Sequence, residues 1–454
     1  MATFNSIFPY DGAVIGTYPL MDKSDLDKKL IIAQKVFPFW AQQSFEVRAS
    51  ALKNAAEILR RDKDSLSGLI TMEMGKLLEE SKAEVEKCAV TCDYFAEHAG
   101  AFLKDEYVDA GYTTSFISYE PIGAVMAIMP WNFPFWQVFR YAAPTLMAGN
   151  VTFLKHAPNV CGCALAIEKV FIEAVGMEGV FQSVIIDTPL VEYLLDDDLV
   201  QAVTLTGSER AGSSVASLAG KLIKKQVLEL GGSDAFIVLE DADIKQAAKV
   251  AVQSRMQNAG QSCIAAKRFI VTEAVYDSFF EEMNLLIGQL KPGNPLQVGV
   301  TLAPMARLDL AETLAGQLKE SVSRGAVVAT GGHFSGCNFD ATILTGVQQE
   351  MRAFNEETFG PLAAIIKVKD EQEALLMANN SRFGLGSSIW TTDIEKGTAL
   401  AKQIAAGAVF INSMVKSDAR LPFGGIKKSG YGRELGKLGI HEFVNAKTIT
   451  ITRP

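Results

Sequence analysis

Apolar and polar positions alternate in two regimes along the chain. From residue 24 to about 103 the apolar positions recur at helical spacing, as in Ala51, Ala55, Ile58 and Leu59, and predict a series of helices. Ser24, followed by Asp27, is the expected cap of the first of these. The pattern then changes. Residues 112–119 (YTTSFISY) are β-branched and aromatic, which predicts a strand. From Pro121 onward, short apolar runs alternate with helical patterns. Strands are expected at 123–129, 151–155, 180–186, 200–206 and 227–230, and helices at 135–148, 161–174 and 209–219. That alternation predicts a parallel, doubly wound sheet with helices on both faces. A second series begins after Gly231 and Gly232. It comprises helix 243–258, strand 268–272, helix 275–290, a loop at 291–295, strands 363–368 and 386–390, helix 393–405 and strand 408–412. Residues 442–452 read as a strand again, and a terminal strand offers an open edge to another chain.

The chain has 454 residues, more than one hydrophobic core serves, so two or more domains are expected. Hydrophobic residues make up 48% and charged residues 21%, which fits an ordinary globular protein and argues against long disordered segments. The net charge of -9 gives no basic surface for nucleic acid. The three lysines in 221–225 read as a solvated helix end. No apolar run reaches the roughly 18–20 residues a membrane helix needs. The opening MATFNSIFPYDG lacks a basic region followed by an apolar stretch, so no signal peptide is expected and the default location is the cytoplasm. Six cysteines and four histidines form no CxxC or zinc-ligand spacing, so no metal is expected. Cys88 and Cys92 are expected on one face of a helix as small apolar residues.

Three segments carry candidate chemistry. Cys263 lies in NAGQSCIAAKR (258–268), where Gly260 permits a sharp turn. Backbone N–H groups at such a turn lower a thiol pKa and favour the nucleophilic thiolate; the alternative is a buried structural thiol. Glu229 in LELGG (228–232) is placed at a strand end, where a carboxylate acts as a general base on water or merely caps a turn. Asn132 in MPWNFPFW (129–136) sits in a backbone fixed by prolines, as an oxyanion donor or a satisfied buried amide. Together they supply a nucleophile, a base and an oxyanion donor.

These segments resemble the aldehyde dehydrogenase superfamily. PWNFP (130–134), TGS (206–208), ELGG (229–232), GQSC (260–263), EETFGP (356–361) and PFGGIKKSGYGRE (422–434) follow one another in that family's order. The resemblance implies a Rossmann-type cofactor domain at 1–104 and 121–231, an α/β catalytic domain at 232–430 whose end is free to return to the first, and a small β bridging element at 105–120 and 440–454. It implies that Cys263 attacks an aldehyde, that Asn132 and the Cys263 N–H hold the oxyanion, that hydride leaves to a nicotinamide, and that Glu229 activates water against the thioester. It places Trp131 and Lys155 at the adenosine and ribose end of the cofactor and Gly207 and Ser208 near its pyrophosphate. Glu357 is placed on the nicotinamide ribose, with Phe359, Leu230 and Asn132 nearby. There is no GxGxxG fingerprint.

Two departures refine the resemblance. Where many NAD-preferring members have a glutamate three residues after the matched lysine, this chain has Pro158 in LKHAP (154–158). With no carboxylate to repel a 2′-phosphate, Lys155 with His156 implies NADP as preferred cofactor and NAD as accepted. Ala265 stands where some members carry a second cysteine, which implies no local disulfide switch. Arg140, on the helix starting near residue 135, is placed in the cleft as a bidentate anchor for a substrate carboxylate. Trp136, Ser417 and Arg420 join it as substrate-site candidates. LKHAP and KSDARLPFGG (416–425) most resemble the short bacterial succinate-semialdehyde dehydrogenases. The expected reaction is therefore succinate semialdehyde to succinate. Another short or carboxylated aldehyde such as glutarate semialdehyde, acyl transfer to coenzyme A, and an inactive cofactor-binding homologue are the alternatives. A homodimer or homotetramer is expected.

Overall fold

The computed structural model describes residues 2–453, so Met1 and Pro454 of the expected spans lie outside the described residues. A hairpin of strands Thr3–Ile7 and Val14–Pro19 opens the chain, ahead of the first predicted element. Four helices follow, Lys23–Ala41, Phe45–Arg61, Lys63–Met74 and Leu78–Phe102. The first is capped by Asp22, not Ser24. The Asp22 side chain accepts from the Asp25 N–H and the Asp25 side chain accepts from the Asp22 N–H, a reciprocal box that places the cap nearer the N-terminus than expected. On the last helix Cys88 and Cys92 are fully buried, as their spacing predicted.

Two parallel-rich sheets form the body. The first has six strands in the order Gly430–Tyr431, Lys225–Glu229, Val200–Thr206, Ala124–Met129, Val151–His156 and Phe181–Ser183. All pairings are parallel except that of Gly430–Tyr431, which returns from late in the chain to lie antiparallel on Lys225–Glu229. The second has seven strands in the order Val327–Thr330, Thr342–Thr345, Leu362–Val368, Ala266–Thr272, Asp234–Val238, Gly386–Trp390 and Ala408–Ile411. Only its edge strand Val327–Thr330 is antiparallel. Along its central strands Phe236, Phe269 and Ile365 pack to one core and Ile237, Ile270 and Ile366 to another. Successive side chains thus enter opposite layers, and both faces of the sheet are covered.

A third, antiparallel sheet joins Val444–Ile451, Thr114–Pro121 and Glu106–Tyr107. Its terminal strand lies at the edge and is mostly exposed. The strand expected at 180–186 shrinks to Phe181–Ser183. Helices Pro189–Asp196 and Leu308–Ser323 and strand Asp234–Val238 had not been predicted. Among the described residues no helix is long and apolar enough to cross a membrane.

Candidate active site

The nucleophile loop is built by the way its preceding helix ends. Helix Ile244–Met256 stops two residues before its predicted end, because Asn258 and Ala259 adopt left-handed backbone (φ 55° and 50°) and Gly260 follows at φ 73°. Non-glycine residues in that region store strain and persist only where the surroundings hold them. The surroundings here are two buried cations and a carboxylate. The Arg255 guanidinium donates to the carbonyls of Gly260 (2.8 Å), Thr358 (3.1 Å) and Ala266 (3.0 Å), and to that of Gly360. Lys267 Nζ donates to the carbonyls of Ser262 (3.0 Å), Cys263 (2.8 Å) and Ala265 (3.0 Å). Glu80 Oε1 accepts from the Asn258 N–H at 2.8 Å. A side chain at position 260 would meet the Gly360 carbonyl at 2.3 Å, so the turn admits only glycine.

Asn132 is tied to the same loop. Its Nδ2 donates to the Gln261 carbonyl at 3.0 Å, and its own carbonyl accepts from Asn258 Nδ2 at 2.8 Å. An amide nitrogen carries two hydrogens, so one remains for a substrate oxygen. Cys263 itself is half-buried. Burial pushes its thiol up to about 12, with Arg140 and Lys267 pulling the other way. This corrects the expectation that the turn lowers its pKa: desolvation of the anion outweighs the loop's dipoles and the two cations.

Glu229 ends strand Lys225–Glu229 and is 2% exposed. Its carboxyl lies against Gly424, where an added Cβ would meet Oε1 at 2.7 Å, and its oxygens accept no hydrogen bond. Burial and the neighbouring Glu434 push it well above the usual carboxylate range, against the pull of Arg140 and Arg433. Its environment thus favours the protonated form, and the carboxyl does not line the cavity that holds the thiol.

That cavity measures about 160 Å³, below the ~300–1,000 Å³ usual for drug-sized ligands, and so suits a short substrate. Cys263, Trp136, Arg140, Ser417, Phe423 and Lys87 line it. The helix carrying Trp136 and Arg140, Trp136–Met147, starts on a carboxylate: Glu84 Oε1 accepts from the N–H groups of Phe135 (2.8 Å) and Trp136 (2.9 Å). Arg140 is not the free fork the sequence implied. Its Nε is ion-paired with Glu434, its Nη2 donates to Thr206 Oγ1 at 3.2 Å, and its guanidinium lies over the Phe423 ring. Nε and one hydrogen of Nη2 are thus already engaged, which leaves Nη1 and the second Nη2 hydrogen. Arg420 is corrected as well: it is bound to Asp418 at 2.7 Å with its side chain 74% exposed, and lies outside the cavity lining. Lys87 had not been singled out. Its signal was a lysine one turn after the buried Glu84 and one turn before the buried Thr91, a pattern that an ordinary surface lysine also shows.

The expected cofactor residues form a second group. Lys155, half-buried at the end of strand Val151–His156, has no ion-pair partner within 4 Å among the described residues. Burial pushes its ammonium below the ordinary range, opposed by Asp187. His156 is corrected. Its buried ring donates from Nε2 to the Pro134 carbonyl (2.8 Å) and accepts the Ala157 N–H on Nδ1 (3.0 Å), and burial pushes it down to about 4. It is neutral, and its ring nitrogens are already engaged. Pro158 is exposed and opens a short 3-10 turn. Gly207 precedes Ser208, which caps helix Glu209–Lys221 by accepting from the Ala211 N–H. Leu230 packs under Gly212 of that helix. Glu357 Oε1 accepts from the Gly232 N–H at 3.0 Å, and the carboxyl fills the space a side chain on Gly231 would need, 2.3 Å from its Cβ position. Phe359 stands edge-on to Trp131, centroids 5.7 Å apart. An unpaired ammonium at a strand end, a helix N-terminus and a carboxylate beside the thiol loop fit a dinucleotide with an added phosphate. Among the described residues no cluster of His, Cys, Asp and Glu could hold a metal ion.

Comparison with known proteins places this geometry. The model of the aldehyde dehydrogenase family matches residues 1–449. A protein of Synechocystis sp. named probable succinate-semialdehyde dehydrogenase (NADP(+)) is 48% identical, over 99% of each chain. One of Escherichia coli K12 named succinate semialdehyde dehydrogenase (NAD(P)+) Sad is 44% identical, over 98% of this chain and 97% of the other. The crystal structure of succinic semialdehyde dehydrogenase from Streptococcus pyogenes in complex with NADP+ superposes with a TM-score of 0.97 at 38% identity, over 99% of this chain and 100% of that one. The chain belongs to the aldehyde dehydrogenase family.

Proposed function

We propose that this chain oxidises succinate semialdehyde to succinate while reducing NADP, with NAD as a second substrate. The observation that carries the reading is Cys263 opening into a small cavity lined by Lys87, Arg140 and Lys416, while the two carboxylates of the lining, Glu80 and Glu84, are already engaged by backbone N–H groups and Lys76. A carboxylated aldehyde complements that charge, and the names of the relatives from Synechocystis and E. coli agree with it.

The chain's own residues perform the following chemistry. The Cys263 thiol passes its proton to solvent water, and the sulfur bonds to the aldehyde carbon. The carbonyl oxygen becomes an oxyanion that accepts from Asn132 Nδ2 and the Cys263 N–H. A bound nicotinamide dinucleotide supplies the hydride acceptor. Collapse of the oxyanion with loss of hydride leaves an acyl thioester on Cys263. Glu229, turned from Gly424 toward the cavity and ionised, takes a proton from water. The resulting hydroxide attacks the thioester carbon, and the C–S bond breaks to release the acid and the thiolate. Lys155 would hold the 2′-phosphate, the first turn after Ser208 the pyrophosphate, and Glu357 the nicotinamide ribose.

The same reading assigns 1–104 and 121–231 to cofactor binding, 232–430 to catalysis, and 105–120 with 440–454 to bridging. It makes the chain a homodimer or homotetramer through the exposed edge strand Val444–Ile451. It also places the chain in the cytoplasm, where its six unpaired cysteines stay reduced. Steady-state rates on succinate semialdehyde, glutarate semialdehyde and hexanal with each cofactor test the reading. The expected outcome is the highest kcat/KM for succinate semialdehyde with NADP, with free acid formed without coenzyme A. A preference for hexanal, or a requirement for coenzyme A, contradicts it.

A further inference from the structure

Lys87 projects from helix Leu78–Phe102 into the cavity that holds Cys263. Its ammonium lies over the Trp136 ring, 3.9 Å from the centroid, and donates to Ser417 Oγ at 2.8 Å. Those two contacts fix its position without neutralising it. The charged groups around it are otherwise engaged. On its own helix, Glu84 spends one oxygen on the Phe135 and Trp136 N–H groups and the other on Lys76. On the neighbouring helix, Arg140 is paired with Glu434. On the loop above, Asp418 is paired with Arg420, and Lys416 reaches the cavity rim but is exposed. The remaining titratable groups of the cavity are Glu80, which accepts from the Asn258 and Leu77 N–H groups, and the thiol of Cys263, with the Cys88 thiol beside Lys87 on its helix. Among the described residues Lys87 has no carboxylate within ion-pair distance, so it is a half-buried ammonium with a free hydrogen-bonding direction.

We propose that Lys87, with Ser417 Oγ beside it, is the group that receives the distal carboxylate of the substrate and sets the enzyme's preference for a carboxylated aldehyde. Arg140 contributes charge from behind, as the counter-ion of Glu434. The inference rests on the reading of the substrate as a carboxylated aldehyde and names the residue that selects it. Ammonium and hydroxyl together offer two donors to a carboxylate, and the Trp136 ring gives the intervening methylenes an apolar wall. Burial and the facing Arg140 push Lys87 down to about 8. The ammonium is thus charged below that pH and is lost as pH rises through it, so preference for the charged aldehyde falls across pH 7–9.

The test measures the ratio of kcat/KM for succinate semialdehyde to that for butanal, in wild type, Lys87→Met and Lys87→Arg, at pH 7 and pH 9. Loss of a charge-assisted donor pair lowers the ratio in Lys87→Met about 30- to 100-fold at pH 7. Lys87→Arg keeps most of it and makes it independent of pH in this range, because a guanidinium does not titrate there. A large wild-type ratio that survives Lys87→Met, or a pH trend unchanged in Lys87→Arg, overturns the inference and leaves the substrate reading standing. A wild-type ratio near one overturns both. Should Lys87→Met fail to fold, the pH trend of Lys87→Arg against wild type decides alone.

Discussion

Arg140 and Glu434 form an ion pair in which each side chain is only 2% exposed. It joins helix Trp136–Met147 to the segment that follows edge strand Gly430–Tyr431 of the six-stranded sheet. Removing one partner of such a pair strands a buried charge and destabilises by about 3–5 kcal/mol. Glu434→Gln is therefore expected to lose about that much stability in denaturant titration, and to lower activity on charged and neutral aldehydes alike. A loss below ~1 kcal/mol, the size typical of a surface pair, means that the pair is not buried in solution.

The thiol chemistry has a pH signature. Burial holds Cys263 up to about 12 in the free protein, so the reactive thiolate is a minor species at neutral pH. Alkylation of Cys263 by iodoacetamide, followed by peptide mass spectrometry, is expected to accelerate steadily from pH 7 to pH 10 without levelling off. A plateau near pH 8 shows that the loop dipoles outweigh burial after all.

The proposed cofactor preference turns on one side chain. Lys155 is half-buried and unpaired, and neutral His156 adds no charge. Lys155→Met is expected to weaken NADP binding about tenfold or more, as loss of a charged hydrogen bond does, with NAD binding little changed. Fluorescence titration of both cofactors reads this directly. Equal weakening of the two places Lys155 elsewhere than at the 2′-phosphate.

Sequence and structure agree where a local pattern decides the outcome. Helical spacing marked residues 24 to about 103 as helical and Cys88 and Cys92 as buried, and the βαβ alternation located the parallel strands of the first sheet but not its returning edge strand Gly430–Tyr431. The pattern gave less where tertiary context decides. Strand Asp234–Val238 is buried throughout and carries no alternation to flag it. The end of helix Ile244–Met256 is set by Arg255, Lys267 and Glu80 gripping a strained turn, and those partners come from distant segments. The motif residues Cys263, Asn132 and Glu357 were legible by resemblance, and the structure gathers them around one loop. Resemblance placed the charges without their partners. Arg140, His156 and Arg420 were assigned to ligands by matched position, whereas Glu434, two backbone groups and Asp418 already engage them. Lys87 was overlooked because its isolation from carboxylates exists only in three dimensions.

The central claim is that the acyl group passes through the sulfur of Cys263 and that Glu229 delivers the water. Mixing Glu229→Gln with NADP and succinate semialdehyde, while following NADPH absorbance and the intact mass, tests it most directly. The account predicts rapid formation of one NADPH per active site, then arrest, with a succinyl group on Cys263. Continued turnover at the wild-type rate, or a burst with no acyl group on Cys263, contradicts it.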